Sequence, residues 1–406
     1  DKNGLPETES LKKVFEYVHT LISEKKAVSA YTPTYGGIAE AVMKMSFGNG
    51  IGFEFNDALS LDDIFGYSYG SFILETVCDV ESGLVIGRTV NENTISYKNE
   101  KLDLNELLSI YEDKLEPIFP CNIKPEGKDI PAFSYKATTY PKPIIKTAHP
   151  RVIIPVFPGT NCEYDTAKVM EQAGAKAQMI VINNLTASGI TESVEYFAKQ
   201  LKNSQIVFIP GGFSGGDEPD GSGKFIATTL RNPRVADAVQ RLMQERDGLM
   251  LGICNGFQAL VKLGLVPFGE IRDQSPDAPT LSFNTLGRHV SRMVYTRVTS
   301  VLSPWLAGCE AGEVHAIPVS HGEGRFVASD VWVRRLADAG QIATQYVDLE
   351  GNPSDDIEFN PNGSVCAIEG ITSPDGRIFG KMGHSERTDA ECYRNVPGEK
   401  DQKLFV

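Results

Sequence analysis

No two of the seven cysteines stand in C-x-x-C spacing, and no H-E-x-x-H occurs in the 406 residues. The common sequence signatures of a zinc site are therefore missing. The cysteines (78, 121, 162, 254, 309, 366 and 392) are odd in number and widely scattered. They form no disulfide framework and fit a reducing cytosol, so the expected location is cytoplasmic. No apolar run approaches the roughly 20 residues of a membrane span, and the opening DKNGLPETES has no basic–apolar signal pattern. An initiator methionine is also missing, and the chain reads as a fragment or a processed product. Lysine and arginine nowhere interleave with aromatics, and the formal net charge is -14. Nucleic acid and membrane surfaces are thus not expected partners. What remains is a globular composition, 41% hydrophobic and 23% charged, in a chain too long for one ordinary core.

The chain changes texture twice. LKKVFEYVHTLISEKKA (11–27) has the spacing of an amphipathic helix, with Leu11, Val14, Phe15, Val18, Leu21 and Ile22 on one stripe. Gly36 and Gly37 open a second helix, and IGFEF, SFILETV and GLVIGRTV read as strands. A helix near 103–115 closes this first α+β portion, residues 1–116. Seven prolines between 117 and 150, without helical periodicity, predict a linker or an arm laid across a neighbouring domain. From 151 to 395 the pattern becomes regular: RVIIPVF, QMIVI, QIVFIPGG and GLMLGI alternate with helices. Continuous apolar strands of this kind predict an α/β, doubly wound and mostly parallel sheet, with ligands at the carboxyl ends of the strands. Residues 280–395 are more β-like, and 396–406 reads as a tail.

Chemistry concentrates at those strand ends. LGICNGFQ (251–258) sets Cys254 between a strand and a helix, with Gly252 and Gly256 on either side. That is the cysteine counterpart of the G-x-S-x-G nucleophile elbow, whose strained turn leaves no room for flanking bulk. The helix N-terminus favours thiolate, and the N–H of Asn255 is placed to meet a developing oxyanion. MGHSER (382–387) supplies a base, His384, and an orienting carboxylate, Glu386, on one face if the segment is extended. PGGFSGGDE (210–218) is a glycine-rich turn that could form an anion nest, with Gly212 or Phe213 as second oxyanion donor. GSGKF (221–225) is no P-loop, because Phe225 stands where Ser or Thr would hold magnesium. Two rivals stay open on sequence alone. Cys162, in FPGTNCEYD, is an alternative nucleophile without paired glycines, and His321 with Glu323, in VSHGEGRF, repeats the His-x-Glu spacing.

Gly252-x-Cys254-x-Gly256-x-Gln258, with His384-x-Glu386 far downstream, resembles the class I (triad) glutamine amidotransferases. FPGTNCEYD, GGFSGGDE, GICNGFQALVKLGLVP, VSHGEGRF and SPDGRIFGKMGHSER are similar, more specifically, to the glutaminase domains of phosphoribosylformylglycinamidine synthases, over about 151–395. The resemblance implies a flavodoxin-like fold and hydrolysis of glutamine by Cys254, His384 and Glu386 without metal or other cofactor. It selects that His/Glu pair over His321 and Glu323, and it puts His321 and Gln258 at the glutamine pocket. It also implies a partner, the remainder of a synthetase that takes the ammonia and uses ATP and Mg to aminate formylglycinamide ribonucleotide in purine biosynthesis. Residues 1–116, with YGGIAEAVMKM, are similar to the C-terminal half of an aminoimidazole-ribonucleotide-synthetase-like unit. The ATP-binding half has no counterpart here, so the chain would be the C-terminal part of the long single-chain form. Two other readings are a different cysteine-elbow hydrolase on the same scaffold and a docking module with an unused triad.

Overall fold

Three of the four strands read from the sequence as continuous apolar runs are buried on both faces: Ile206–Ile209 without exception, and Arg151–Val156 and Leu249–Ile253 but for end residues. The fourth, Lys176–Val181, holds most of QMIVI and is an edge strand with Met179 and Val181 exposed. The structure, a computed structural model, describes residues 5–121, 123–137, 146–213, 223–389 and 392–405. It divides into two units, Asp1–Cys121 and Asn122–Val406. The glycine-rich run 214–222, which holds most of the predicted anion nest and the start of GSGKF, lies outside the described residues. No helix among the described residues is long and apolar enough to cross a membrane.

The first unit runs α1 (Thr8–Ser23), β1 (Ala27–Tyr31), α2 (Gly37–Phe47), β2 (Gly52–Phe55), α3 (Leu61–Phe65), β3 (Ile73–Thr76), β4 (Gly87–Val90), β5 (Thr94–Tyr97), β6 (Glu100–Asp103) and α4 (Leu104–Asp113). β1 pairs with β3, and β4-β2-β5-β6 form a four-stranded sheet. Ala41, Val42, Phe55, Ile64, Ile73, Ile95 and Leu104 form its core. The α1 stripe is narrower than the periodicity predicts: Val18 and Leu21 are buried, whereas Phe15 and Ile22 are 50% and 47% exposed.

The second unit begins β7 (Arg151–Val156), α5 (Glu163–Gln172), β8 (Lys176–Val181), α6 (Ala187–Leu201) and β9 (Ile206–Ile209). It continues α7 (Lys224–Leu230), α8 (Pro233–Glu245), β10 (Leu249–Ile253), α9 (Asn255–Leu263), α10 (Leu265–Phe268) and β11 (Thr280–Ser282). It ends β12 (Val290–Val298), β13 (Val314–His321), β14 (Arg325–Val327), α11 (Asp330–Asp338), β15 (Ile342–Val347), β16 (Ile368–Thr372) and β17 (Ile378–Lys381). Local chemistry sets the helix starts. Asn232 accepts from the Arg234 N–H with Pro233 at the first position of α8, and the Thr186 hydroxyl accepts from the Gly189 N–H to start α6.

The nine-stranded sheet has the order β13-β12-β15-β16-β17-β10-β9-β7-β8. It is mixed and not mostly parallel, which corrects the expectation. β8, β7, β9, β10 and β17 run parallel, while β17-β16-β15-β12-β13 pair antiparallel. The reason lies in the connections. Helices return the chain through the first half, whereas a tight turn at 373–377 joins β16 to β17 and permits only antiparallel pairing.

The proline-rich arm lies along the second unit's own sheet: Arg297 donates to Phe133 O at 2.9 Å, and Gln345 Nε2 donates to Pro131 O at 3.1 Å. The 396–405 stretch of the expected tail is packed. Gln402 and Leu404 are buried, and Phe405 stacks on Phe208 of β9 at 5.9 Å. Its apolar anchors sit too close to the end of the sequence to stand out as a periodic pattern.

Candidate active site

Cys254 occupies the junction of β10 and α9 with φ 52° and ψ -108°. A non-glycine residue there costs on the order of 1–3 kcal/mol and persists only where the surroundings impose it. Here its N–H donates to Lys381 O at 2.8 Å, and its carbonyl accepts from the Gln258 N–H at 3.0 Å. The flanking glycines are required by contact: a Cβ on Gly256 would lie 2.1 Å from Ile209 O, and one on Gly252 would lie 2.8 Å from Gly256 O. The elbow is thus clamped between β9, β17 and the first turn of α9. The Cys254 thiol donates to Ser320 O at 3.6 Å, at the end of β13.

His384 and Glu386 follow β17, the parallel neighbour of β10. The segment is a turn and not the extended stretch expected, since the Arg387 N–H donates back to His384 O at 3.2 Å. The turn brings the side chains together, with His384 Nδ1 and Glu386 Oε1 2.6 Å apart and both groups buried. Burial opposes a charged imidazole. Glu386's charge and the Cys162 and Cys254 sulfurs outweigh it and hold His384 well above its ordinary range. Glu386 is likewise pulled low by His384 against its own burial. His384 Nε2 has no partner among the described residues. A Cβ on Gly211 would meet His384 Cε1 at 2.7 Å and Cys254 Cβ and Cys162 Sγ at 3.3 Å each, so all three side chains converge on that glycine.

Cys162 is therefore beside the site, though it does not stand on the elbow. Its sulfur lies 3.8 Å from His384 Nδ1, donates to Asn161 Oδ1 at 2.9 Å, and accepts from Arg387 Nη2 at 2.9 Å. Cys162, His384 and Glu386 offer donor atoms within 4.8 Å of one another. A cation-binding set would leave those atoms available, whereas here a guanidinium already rests on the sulfur and the imidazole is bound to the carboxylate. Sequence reasoning missed Arg387, although it ends the same MGHSER string.

The remaining predicted residues divide. Phe213 is corrected as an oxyanion donor, because its N–H donates to Gly159 O at 2.8 Å and is spent on the bridge between the β7 and β9 loops. The Gly212 N–H makes no hydrogen bond among the described residues, and Gly212 directly follows the glycine on which the site converges. Asn255 is buried at the start of α9, where its Nδ2 donates to Gln258 Oε1 at 2.9 Å. Gln258 Nε2 donates in turn to Glu323 O at 2.6 Å. Its amide is engaged at both ends, which fits a residue that fixes the elbow against the 321–324 loop.

His321 is separated from its rival role by its partner. Its Nδ1 faces Asn284 Oδ1 at 3.3 Å, not a carboxylate, and Nε2 is unpartnered among the described residues. Burial, with His384 and His289 nearby, pushes its pKa down to about 3. A depressed histidine contributes stability that is present above the unfolded value of 6.5 and lost as pH falls toward the folded one. At pH 5 the loss attributable to His321 is about 2 kcal/mol. His321→Asn removes that slope, so urea melts at pH 7 and pH 5 should differ less for the variant than for the parent by about that amount.

Three comparisons bear on this geometry. The sequence model of the CobB/CobQ-like glutamine amidotransferase domain matches residues 149–406. The phosphoribosylformylglycinamidine synthase subunit PurQ of Methanococcus maripaludis is 35% identical over 240 residues, covering 59% of this chain and 82% of that protein. PurQ of Aquifex aeolicus is 34% identical over 245 residues, covering 60% of this chain and 93% of that protein. Among solved structures, PurLQS from Thermotoga maritima aligns with a TM-score of 0.45 at 26% identity, over 63% of this chain and 96% of that one.

Proposed function

The chain belongs to the CobB/CobQ-like glutamine amidotransferase family, alongside the PurQ subunits of phosphoribosylformylglycinamidine synthase, and from that premise we propose that it hydrolyses glutamine at Cys254 and hands on the ammonia. The observation that carries the assignment is the convergence of a strained elbow cysteine with a buried His384–Glu386 pair on Gly211.

The chemistry follows from where the protons can go. Glu386 holds Nδ1, which leaves Nε2 to exchange a proton with Cys254. The thiolate, helped by the N-terminus of α9, attacks the side-chain amide carbon of glutamine, forming a C–S bond while the carbonyl π electrons move to oxygen. The Asn255 and Gly212 N–H groups receive that oxyanion. The His384 imidazolium then protonates the departing nitrogen, the C–N bond breaks, and ammonia leaves a glutamyl thioester. Neutral His384 next takes a proton from water as it attacks the thioester, glutamate departs, and Cys254 is restored. His321, next to Ser320 on which the thiol rests, is assigned to the glutamine pocket beside the elbow.

The recipient of the ammonia is a synthetase that aminates formylglycinamide ribonucleotide with ATP and Mg, an ATP-dependent carbon–nitrogen ligase overall. Residues 1–116 are assigned to the synthetase side of that division, and the glutaminase chemistry itself needs no cofactor. This division puts the ligase step on the partner and the ammonia-releasing step on the second unit, whose family match begins at residue 149.

An electrophilic glutamine analogue, a chloroketone on the glutamine skeleton, should label Cys254 at one equivalent, and excess glutamine should protect it. Peptide mapping that puts the label on Cys162, or finds no protection, would overturn the assignment. Cleavage of ordinary peptides would point to a general hydrolase instead.

A further inference from the structure

His384 is held from both sides by buried polar groups that the mechanism above does not use. On one side, the Gly383 N–H donates to Glu369 Oε1 at 2.6 Å, and the Gly383 carbonyl accepts from Lys381 Nζ at 3.1 Å. Lys381 and Glu369 are fully buried and 3.5 Å apart. On the other side, Ser385 Oγ accepts from Lys381 Nζ at 2.8 Å and donates to Gln402 Oε1 at 2.5 Å. Gln402 is fixed in turn: its Nε2 donates to Thr296 Oγ1 at 3.1 Å, and its carbonyl accepts from the Cys309 thiol at 2.8 Å. The last residues therefore reach back into the turn that carries the base.

We propose that Gln402, delivered by the C-terminal segment, is a positioning residue for His384 and acts through Ser385 and Lys381. The inference rests on the reading of His384 as the base. The segment does not need the Gln402 amide in order to dock, because Leu404 is buried and Phe405 stacks on Phe208. A buried amide with its donor and acceptor both engaged instead fixes its neighbours to one geometry. What it fixes is Ser385 Oγ, which otherwise rotates and leaves Lys381 one acceptor short. The ammonium would then pull on the Gly383 carbonyl, and the imidazole, held at Nδ1 by Glu386 with the Cys162 sulfur 3.8 Å away, would shift with the backbone. Displacements of this kind far from the reacting atoms cost up to about 100-fold in rate.

The test uses the whole 406-residue chain. Glutamate release is measured in parallel with the rate of iodoacetamide alkylation on the Cys254 peptide at neutral pH, which reads thiol reactivity even where turnover is slow. Gln402→Ala should lower kcat at least about tenfold with KM for glutamine nearly unchanged, and slow the alkylation of Cys254. Gln402→Glu keeps the acceptor for Ser385 and should restore most of kcat. If Gln402→Ala fails to fold, Ser385→Ala leaves the docked segment intact and should show the same loss. A parental kcat and alkylation rate in a folded Gln402→Ala or Ser385→Ala variant would overturn the proposal. His384→Asn is run alongside. Full activity in that variant would overturn the base assignment and the role of Gln402 with it, whereas a parental Gln402→Ala beside an inactive His384→Asn would overturn the role of Gln402 alone.

Discussion

Cys254→Ala should lower glutamate release from glutamine by at least about 10⁴-fold, while Cys162→Ala should cost no more than about tenfold. Both sulfurs are buried and both cysteines converge with His384 on Gly211, so exposure or proximity alone does not rank them. The ring nitrogens do. Nδ1 is committed to Glu386 at 2.6 Å, and Cys162 approaches that same nitrogen at 3.8 Å. A ring cannot keep its orienting carboxylate on Nδ1 and also take a nucleophile's proton there. Nε2 remains, buried and without a partner among the described residues, for the thiol on the elbow. Both cysteines stand at a helix N-terminus, but of the two only Cys254 has the strained elbow backbone, with φ 52° against -111° at Cys162. The measurement is glutamate formed per enzyme with ammonia-dependent synthesis as a control. In the assembled synthetase, Cys254→Ala should still use free ammonia, because the alanine leaves the receiving site untouched. Glutamate release retained by Cys254→Ala, or lost only in Cys162→Ala, would move the nucleophile to the other sulfur.

The elbow was legible because its constraints are local. Gly252 and Gly256 are glycines for contact reasons that the G-x-C-x-G spacing already encodes, and the positive φ of Cys254 follows from the same crowding. The parallel half of the sheet was legible for a similar reason, since strands buried on both faces must be apolar throughout. The antiparallel half was not, because its strands alternate less clearly and their order depends on connections 280 residues and more into the chain. What sequence could not supply was pairing between distant segments. Nothing in KMGHSER signals that Lys381 meets Glu369, or that Ser385 meets Gln402. Nor does FPGTNCEYD reveal that Cys162 shares a guanidinium with the base turn. Phe213 shows the same limit in reverse. A glycine-rich turn offers several N–H groups, and only the fold decides which is spent on Gly159.

Glu386→Gln separates charge from shape at the base and should lower kcat for glutamine hydrolysis by about 10²- to 10⁴-fold. The amide fits the space of the carboxylate, so His384 keeps its place, but the charge that offsets its burial is gone. His384 then falls from well above its ordinary value, the Cys254 sulfur loses its imidazolium partner near neutral pH, and its alkylation there should slow. Stability supplies an independent reading with a definite sign. A raised histidine contributes stability that is full below its unfolded value of 6.5 and is lost as pH rises through the folded one. A lowered glutamate contributes stability that is present above its unfolded value of 4.5 and is lost as pH falls through the folded one. The pair therefore contributes most between about pH 4.5 and 6.5. The Tm difference between parent and Glu386→Gln should be widest there, narrowing toward alkaline pH as His384 loses its proton and toward acid as Glu386 gains one. A difference independent of pH would mean that the variant disturbs packing alone, and that the charge on Glu386 does not set the protonation of His384.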